Sequence, residues 1–255
     1  MRIAFYGSSL LSAYWNGAAT YYRGLLKALA GHGHAITFYE PDVYDRQKNR
    51  DIDPPDWCRV VVYPGTLDAS ATYTLTGNIL ALDLEARTTK PTVVNLTNHA
   101  YWNLSGGERN AFAHEMQIDA QSYLPLNDLL LPSGEIRNVE GLPQDFRTRK
   151  IVGQFFDNCW VLDGARGTLR HGLTLRDPVS GRQMNVWTTE AGMQMYTAFH
   201  WNEAMPGRNG PLKQYTAIAI EPQNFPDSPN HSNFPSAVLR PGEVYKNRME
   251  WRFSR

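Results

Sequence analysis

The segment Leu67-Asp-Ala-Ser-Ala-Thr-Tyr-Thr-Leu-Thr-Gly77-Asn78-Ile-Leu-Ala-Leu-Asp-Leu-Glu-Ala86 alternates apolar with polar residues on both sides of a Gly-Asn turn. A period of two is typical of strands that bury one face, and a two-residue turn containing glycine joins antiparallel neighbours. Short stretches of this kind, separated by Gly, Pro, Asn and Asp, continue to Trp251 without a long helical pattern. The sequence therefore predicts a mainly β domain over residues 63–255, folded as an antiparallel β-sandwich.

The first 62 residues follow a different pattern. Arg2–Gly7 is typical of a buried strand, and leucines at helical spacing predict a helix over Ala19–Ala30. Ala35–Tyr39 is a second candidate strand, and Val60–Val62 is a short third one. This order predicts a βαβ fragment, which we assign to a separate domain over residues 1–62. Such a fragment is too small to bury a full core by itself.

The composition favours a small-molecule partner. The 255 residues have a formal net charge of zero, and the dispersed charges argue against nucleic acid and anionic membranes as partners. The 7 tryptophans and 13 tyrosines mildly favour a carbohydrate site, although aromatic rings usually fill cores. Cys58 and Cys159 lack metal-ligand or redox spacing. Because no secretory or transmembrane segment is evident, we expect a reducing, cytoplasmic location.

Polar and aromatic residues follow a candidate strand in Pro91-Thr-Val-Val-Asn-Leu-Thr-Asn-His99-Ala-Tyr-Trp-Asn-Leu-Ser105. The side chains of Thr92, Val93 and Val94 are β-branched, which favours a strand, and Pro91 suits the first position of a strand. Amides can pair with sugar hydroxyls, aromatic faces can cover the apolar face of a pyranose, and His99 can exchange a proton near neutral pH. The alternative is a core histidine at the end of a strand. This stretch alone slightly favours that alternative.

Glu221 follows the apolar run Ala217–Ile220 and precedes Pro222, which we expect to end the strand. A carboxylate held beside apolar residues can have a raised pKa and serve as a general base. The alternative is a surface glutamate that caps a loop. The residues by themselves leave both interpretations open.

Seven phrases follow one another along the chain: Thr97-Asn-His-Ala-Tyr-Trp-Asn103, Tyr123-Leu-Pro-Leu-Asn-Asp-Leu-Leu-Leu-Pro-Ser-Gly-Glu-Ile136, Asp145-Phe-Arg147, Asp157-Asn-Cys-Trp-Val-Leu162, Val186-Trp-Thr-Thr-Glu190, Glu221-Pro-Gln223 and Asn233-Phe-Pro-Ser-Ala-Val-Leu-Arg-Pro-Gly-Glu243. From about Tyr63 to the C-terminus, the chain thereby resembles the aldose 1-epimerase, or galactose mutarotase, family. The resemblance implies a galactose mutarotase-like β-sandwich that lacks the family's early strands. It also implies an enzyme that interconverts the α and β anomers of a free hexose.

The same resemblance implies roles for individual residues. Glu221 is the expected base on the anomeric hydroxyl, His99 the expected acid on the ring oxygen, and Asp157 an acceptor of hydrogen bonds from the sugar. The other expected substrate-binding residues are Asn98, Tyr101 and Gln223. Acid–base ring opening requires no cofactor and no metal. We expect galactose or glucose as substrate, and a monomer or homodimer.

Two elements that the resemblance implies belong to the family's early strands, which the matching motifs do not include. One is an Asn-Arg motif whose arginine binds the sugar, and the other is an Asn-His-Leu-His-Gly-Gly motif whose histidine helps to hold the ring. This departure supports a second hypothesis, a truncated or chimeric carbohydrate-binding remnant without catalysis. A third rests on residues 1–62, which resemble the start of two-domain glycosyltransferases that bind a nucleotide sugar. In this chain, the loop Gly7–Gly17 lacks the G-x-G-x-x-G spacing of a phosphate-binding loop.

Other polar and aromatic residues are weaker candidates. Trp187, Gln194 and Phe225 could line a cleft, with ordinary positions in the sandwich core or rim as the alternative. We expect His171 in a turn and His200 in a polar loop. No three histidines have the spacing of metal ligands.

Overall fold

The computed structural model describes residues 1–6, 9–12, 18–42, 47–65, 67–107, 109–203, 206–207 and 210–255. By its internal contacts the chain divides into two units, Met1–Asp68 and Ala69–Arg255. This division lies a few residues after residue 62, where the sequence places the domain boundary. In the part of the chain that the structure describes, no helix has both the length and the apolar character needed to cross a membrane.

The first unit contains a parallel three-stranded sheet. Its elements are β1 (Arg2–Tyr6), α1 (Ala18–Gly31), β2 (Ala35–Asp42) and β3 (Cys58–Pro64). β2 pairs in parallel with both β1 and β3, and Leu26 of α1 is buried with Phe38 of β2 in one apolar cluster. The predicted βαβ fragment is confirmed, with the helix one residue longer at each end. Of the expected loop Gly7–Gly17, residues 7–8 and 13–17 lie outside the described residues.

The strands that follow are β4 (Leu67–Thr76), β5 (Ile79–Thr88), β6 (Thr92–Val93), β7 (Tyr101–Trp102), β8 (Glu115–Ile118), β9 (Ser122–Leu124), β10 (Arg137–Asn138), β11 (Lys150–Ile151), β12 (Asp157–Val161), β13 (Arg170–Arg176), β14 (Gln183–Thr188), β15 (Gly192–Tyr196), β16 (Pro206–Gly207), β17 (Gly210–Pro211), β18 (Ile218–Gln223), β19 (Val238–Leu239) and β20 (Tyr245–Ser254). Single 3₁₀ turns lie at Ala111–Ala113 and Ser228–Asn230. The predicted turn joins β4 to β5, and Gly77 has a φ of 58° there, a conformation that glycine adopts without steric cost.

Two sheets enclose the core of the second unit. The six-stranded sheet has the order β10-β9-β12-β15-β18-β7, and the seven-stranded sheet has the order β11-β8-β13-β14-β20-β5-β4. Trp160 and Ile220 of the first sheet belong to the same buried cluster as Trp251 of the second. Pairing within these sheets is antiparallel wherever a register is defined. The predicted antiparallel β-sandwich is therefore confirmed.

The six-stranded sheet has a second face that points away from this core. Met193 and Met195 of β15 are buried in the core, so Gln194 between them lies on the opposite face. The register places Gln194 beside Cys159 of β12 on one side and beside Glu221 of β18 on the other. Side chains from three strands that are distant in sequence are thereby neighbours on one face.

β4 is exposed along its whole length. It lies at the edge of the seven-stranded sheet beside β5, and all ten of its residues are exposed, whereas β5 alternates between buried and partly buried positions. The predicted hairpin is present, but β4 does not bury one face as an alternating strand usually does. An alternating sequence is sufficient for the extended conformation, but burial requires a second layer that reaches the edge of the sheet.

Candidate active site

His99 lies in a loop between two very short strands. The predicted strand begins at Thr92 as β6 but ends at Val93, and the chain returns to a sheet at Tyr101 in β7. The intervening loop is irregular, so its path depends on side-chain contacts rather than on a ladder of backbone hydrogen bonds.

Polar side chains fasten this loop to the end of β18. The Thr97 hydroxyl donates a hydrogen bond of 2.8 Å to the Pro222 carbonyl. The Asn95 amide donates to the Asn224 carbonyl over 3.1 Å and accepts from the Asn224 N–H over 2.9 Å. The amides and hydroxyl that the sequence offers to a sugar are thus partly used to hold the loop, and in doing so they place His99 next to β18.

Glu221 is a buried carboxylate on the sheet face that points away from the core. Its side chain is 10% exposed, and its Oε1 lies 3.4 Å from Nε2 of His99, whose side chain is 52% exposed. Burial raises the pKa of Glu221 to about 6; the charge of His99 opposes this rise and the charge of Asp157 adds to it. A carboxyl group with a pKa in this range can both take and return a proton near neutral pH, as a general base must.

Pro222 does not end β18, contrary to expectation. The strand continues to Gln223, and Pro222 and Gln223 both pair with β15. On its other side β18 pairs with β7 only at its first two residues. Among the described residues, no second strand pairs with β18 at Pro222, so no backbone N–H is required there, which is the setting in which a strand tolerates proline.

Asp157 and Gln194 form a hydrogen-bonded pair beside this acid and base. The Gln194 amide donates to Asp157 Oδ1 over 2.7 Å. Burial raises the pKa of Asp157, while the hydrogen bond from Gln194 and the charges of His200 and His99 limit the rise. A carboxylate fixed in this way can accept hydrogen bonds from hydroxyl groups of a ligand.

Aromatic side chains also line the site. The ring of Tyr101 lies 4.6 Å from that of Trp201, 5.0 Å from that of His99 and 6.4 Å from that of Tyr196. The ring of His200 lies 6.1 Å from that of Tyr196, with an angle of 27° between the two ring planes. Together with Asp157, Gln194 and Glu221, these side chains line a pocket of about 520 Å³. A pocket that combines polar groups with aromatic rings suits a pyranose ring.

A family model described as aldose 1-epimerase matches residues 49–252. The chain belongs to the aldose 1-epimerase family. The match begins before Tyr63, the residue at which the resemblance seen in the sequence motifs begins. It contains every residue that lines the pocket.

Several curated members of this family are similar to the chain. Galactose mutarotase of Mus musculus is 38% identical over 202 residues, and that of Homo sapiens is 36% identical over 203 residues; each alignment covers 75% of this chain and 59% of the relative. Aldose 1-epimerase of Escherichia coli strain K12 is 30% identical over 206 residues, 75% of this chain and 60% of that protein. The chain therefore spans about three fifths of the length of the curated relatives it matches.

Solved structures share its fold. A GalM/aldose epimerase homologue from C. elegans matches with a TM-score of 0.67 at 28% identity, over 75% of this chain and 61% of that one. The galactose 1-epimerase from Lactobacillus acidophilus NCFM matches with a TM-score of 0.65, also at 28% identity, over 76% of this chain and 58% of that one. The expected galactose mutarotase-like fold is confirmed.

The pocket of this family member contains four of the six predicted site residues, His99, Glu221, Asp157 and Tyr101. Asn98 is not in its lining: its amide donates to the Tyr73 hydroxyl and its oxygen accepts from the Ala100 N–H, each over 2.9 Å. Gln223 lies two residues beyond Glu221 on β18 and is also outside the lining. Sugar binding by Asn98 and Gln223 stays a prediction.

The structure adds pocket residues that sequence reasoning ranked low or passed over. Gln194 was only one of three candidates for lining a cleft, yet a single polar residue between two methionines is a signal that one side chain leaves the core. His200 lies in a loop as expected, but the loop returns to the pocket because the His200 N–H donates to the Tyr196 hydroxyl over 2.6 Å. No local pattern indicates that return, nor the place of Trp201 against Tyr101.

Other candidates lie elsewhere. Trp187 is on the seven-stranded sheet, where the Arg252 guanidinium lies 3.9 Å from its ring centre, and Phe225 is buried in a small apolar cluster. His171 belongs to β13 rather than to a turn, and its Nδ1 lies 2.7 Å from the Asp119 carboxylate. The expectation of a turn at His171 is wrong because glycine follows it within a strand, at a shift in the β13–β14 register.

Proposed function

We propose that this chain interconverts the α and β anomers of a free hexose. The observation that carries the proposal is the 3.4 Å approach of His99 Nε2 to Glu221 Oε1. The pair faces a pocket of about 520 Å³ that also contains Asp157 and Gln194. Because the chain spans only part of its relatives, the activity of whole members is a proposal for this chain.

In the proposed reaction the Glu221 carboxylate removes the proton from the anomeric hydroxyl while the His99 imidazolium protonates the ring oxygen. The bond between C1 and the ring oxygen breaks, and the open-chain aldehyde forms. After rotation about the C1–C2 bond, the C5 hydroxyl attacks the other face of C1 and loses its proton to His99. Glu221 then returns its proton to the new anomeric oxygen. Since both reacting oxygens are bonded to C1, an acid and a base this close together can act on one ring.

Asp157, Gln194 and Tyr101 hold the sugar in this proposal. The Asp157 carboxylate accepts hydrogen bonds from hydroxyls on the edge of the ring opposite C1, and Gln194 fixes its orientation. Tyr101 covers an apolar C–H face of the ring. Relatives named galactose mutarotase support galactose as the substrate, and we keep glucose as the second sugar to test.

A carbohydrate-binding remnant without catalysis is the second candidate. Two observations favour it: the Asn-His-Leu-His-Gly-Gly motif does not occur in the sequence, and the His99 side chain is 52% exposed. If a positioning group is lost and the substrate is misplaced by about 1 Å, the rate can fall by about a hundredfold. Binding of sugar without acceleration of mutarotation would support this candidate.

Polarimetric relaxation of fresh α-D-galactose and α-D-glucose tests the proposal. We expect the chain to accelerate relaxation and Glu221→Gln to lower the rate by about 10² to 10⁴, the usual contribution of a general base. Glu140→Gln is the matched control because Glu140 is exposed and outside the pocket. If the folded chain and Glu221→Gln both relax the sugars at the rate of buffer, the proposed activity is wrong.

For residues 1–48, which precede the family match, we propose only a common origin with the start of glycosyltransferases, supported by the parallel pairing of β1 with β2 and the helix α1 between them in the chain. Binding of a nucleotide sugar, measured by calorimetry, is the test; absence of binding would leave this resemblance without a function. A cytoplasmic location and a monomer or homodimer remain predictions. Cys58 and Cys159 are free and buried, which agrees with a reducing compartment.

A further inference from the structure

A second cavity adjoins the pocket. It has a volume of about 250 Å³, and Asp157 and Gln194 line both this cavity and the pocket of about 520 Å³. The hydrogen-bonded pair of Asp157 and Gln194 is thus a shared wall. A ligand held by this pair in the pocket has the second cavity directly beyond it.

Seven of the ten residues that line the second cavity are apolar. Besides the shared pair and Asp227, they consist of Cys159 and of the leucines and prolines Leu124, Leu126, Leu130, Leu131, Pro132 and Pro226. Burial raises the pKa of the Cys159 thiol, so this side chain stays neutral and behaves as a small apolar group. A cavity of this composition favours an alkyl group over a hydroxyl or a charge.

Two strained loops complete the walls of this cavity beside the strands that carry Leu124, Cys159 and Gln194. Leu130 and Asp227, one from each loop, both have a φ of 60°, in the left-handed region that side chains with a Cβ disfavour. Strain of this kind persists only where surrounding contacts hold it, and it concentrates at ligand sites. The cavity is therefore a constrained feature of the two loops.

Contacts between and within the two loops supply the constraint. The Asn233 amide donates to the Gly134 carbonyl of the other loop over 2.9 Å, and within its own loop His231 Nε2 lies 3.2 Å from Asp227 Oδ2. A Cβ on Gly134 would lie 2.7 Å from His231 Nδ1, so only glycine allows this approach. The loops are tied at several points around the cavity.

The position of the acid and base orients a sugar relative to this cavity. This step rests on the proposed function: His99 and Glu221 take the ring oxygen and the anomeric hydroxyl, both on C1. In a six-membered ring the carbons opposite these atoms are C3 and C4. Asp157 and Gln194 then face O3 and O4, and the second cavity lies beyond those oxygens.

We infer that the second cavity is a subsite for an alkyl group on O3 or O4, so that O-alkylated hexoses are substrates. Alkylation removes one hydroxyl donor, but the neighbouring hydroxyl still donates to Asp157. The ether oxygen still accepts a hydrogen bond, for which Gln194 has a second amide hydrogen beyond the one given to Asp157. The alkyl group is buried against leucines instead of water.

Kinetics with methyl ethers test the subsite. We compare kcat/KM for D-glucose, 3-O-methyl-D-glucose and 4-O-methyl-D-glucose by polarimetry in the parent chain, Leu131→Asn and Leu129→Asn. Leu131 lines the cavity and is 48% exposed, whereas Leu129 is 78% exposed and does not line it. Both substitutions are at exposed leucines of one loop, so the second controls for the change in polarity.

We expect one of the two ethers to have a kcat/KM within about threefold of that of glucose in the parent chain. Leu131→Asn lowers the ratio of ether to glucose by about tenfold, the usual effect of one methyl group in an apolar pocket, and Leu129→Asn leaves the ratio unchanged. A loss of more than about a hundredfold for both ethers in the parent chain overturns the inference. Equal ratios in the two variants also overturn it.

If the chain does not catalyse mutarotation at all, glucose itself relaxes at the rate measured in buffer. This result differs from failure of the subsite, in which glucose is still a substrate. Without catalysis, the subsite is tested by saturation-transfer NMR on the methyl protons of the same two ethers. Saturation of a methyl group by the parent chain, and its loss in Leu131→Asn but not in Leu129→Asn, supports the subsite. Absence of saturation from both ethers contradicts it.

Discussion

Replacing Glu221 by glutamine should stabilise the protein above pH 6, because it removes a buried charge. Burial raises the pKa of Glu221 to about 6 from an ordinary 4.5, so the folded state binds this proton more tightly than the unfolded state does. At 1.36 kcal/mol per pKa unit, the difference of about 1.5 corresponds to about 2 kcal/mol. Since folding disfavours the ionised form, the penalty is small well below pH 4.5, grows between pH 4.5 and 6, and is complete above pH 6.

Thermal melts followed by circular dichroism measure this effect. For a unit the size of Ala69–Arg255, about 2 kcal/mol corresponds to a change in Tm of about 4–8 °C. We expect Glu221→Gln to melt that much higher than the parent at pH 8 and within about 1 °C of it at pH 4. The exposed control Glu140→Gln should match the parent at both values. A Tm of Glu221→Gln at or below that of the parent at pH 8 would refute the assignment of a destabilising buried charge.

Three further predictions follow from the site and the core. As pH falls below about 6, kcat/KM for galactose should decrease about tenfold per pH unit, because the base Glu221 becomes protonated; a flat profile from pH 5 to 8 would contradict its role. Gln194→Leu should raise KM by about tenfold through loss of the hydrogen bond that orients Asp157, and an unchanged KM would count against that role. Trp160→Ala, at a fully buried site where the indole donates to Gln144, should lower the free energy of unfolding by about 3–5 kcal/mol, measured by urea denaturation; a loss below about 1 kcal/mol would contradict its place in the core.

Local patterns were sufficient for the elements with regular periodicity. The helix α1 and the turn at Gly77 lie where leucine spacing and the Gly-Asn pair predict them. Short or irregular elements were less predictable, because their backbone follows contacts with distant residues. The early end of β6 at Val93 and the continuation of β18 through Pro222 depend on which neighbouring strands are present, and a sequence window does not contain those neighbours.

In the candidate site, too, some features follow from the local sequence and others depend on distant residues. The sequence itself determined the residue types: an imidazole among amides in the stretch ending at Ser105, and a carboxylate after an apolar run at Glu221. Resemblance to a family assigned them roles. The 3.4 Å distance between His99 and Glu221, however, was decided by the tertiary structure. Hydrogen bonds between residues far apart in the chain hold the loop that carries His99 against the end of β18.

Electrostatics and cavity shape were also decided only by the fold. Strand register places Gln194 between Cys159 and Glu221, and burial by this arrangement raises the pKa of Glu221. The sequence determined which positions of each strand could be apolar or polar, since that depends on a local period of two. Which strands become neighbours, and so which polar groups share one pocket, depends on long-range pairing that no local period encodes.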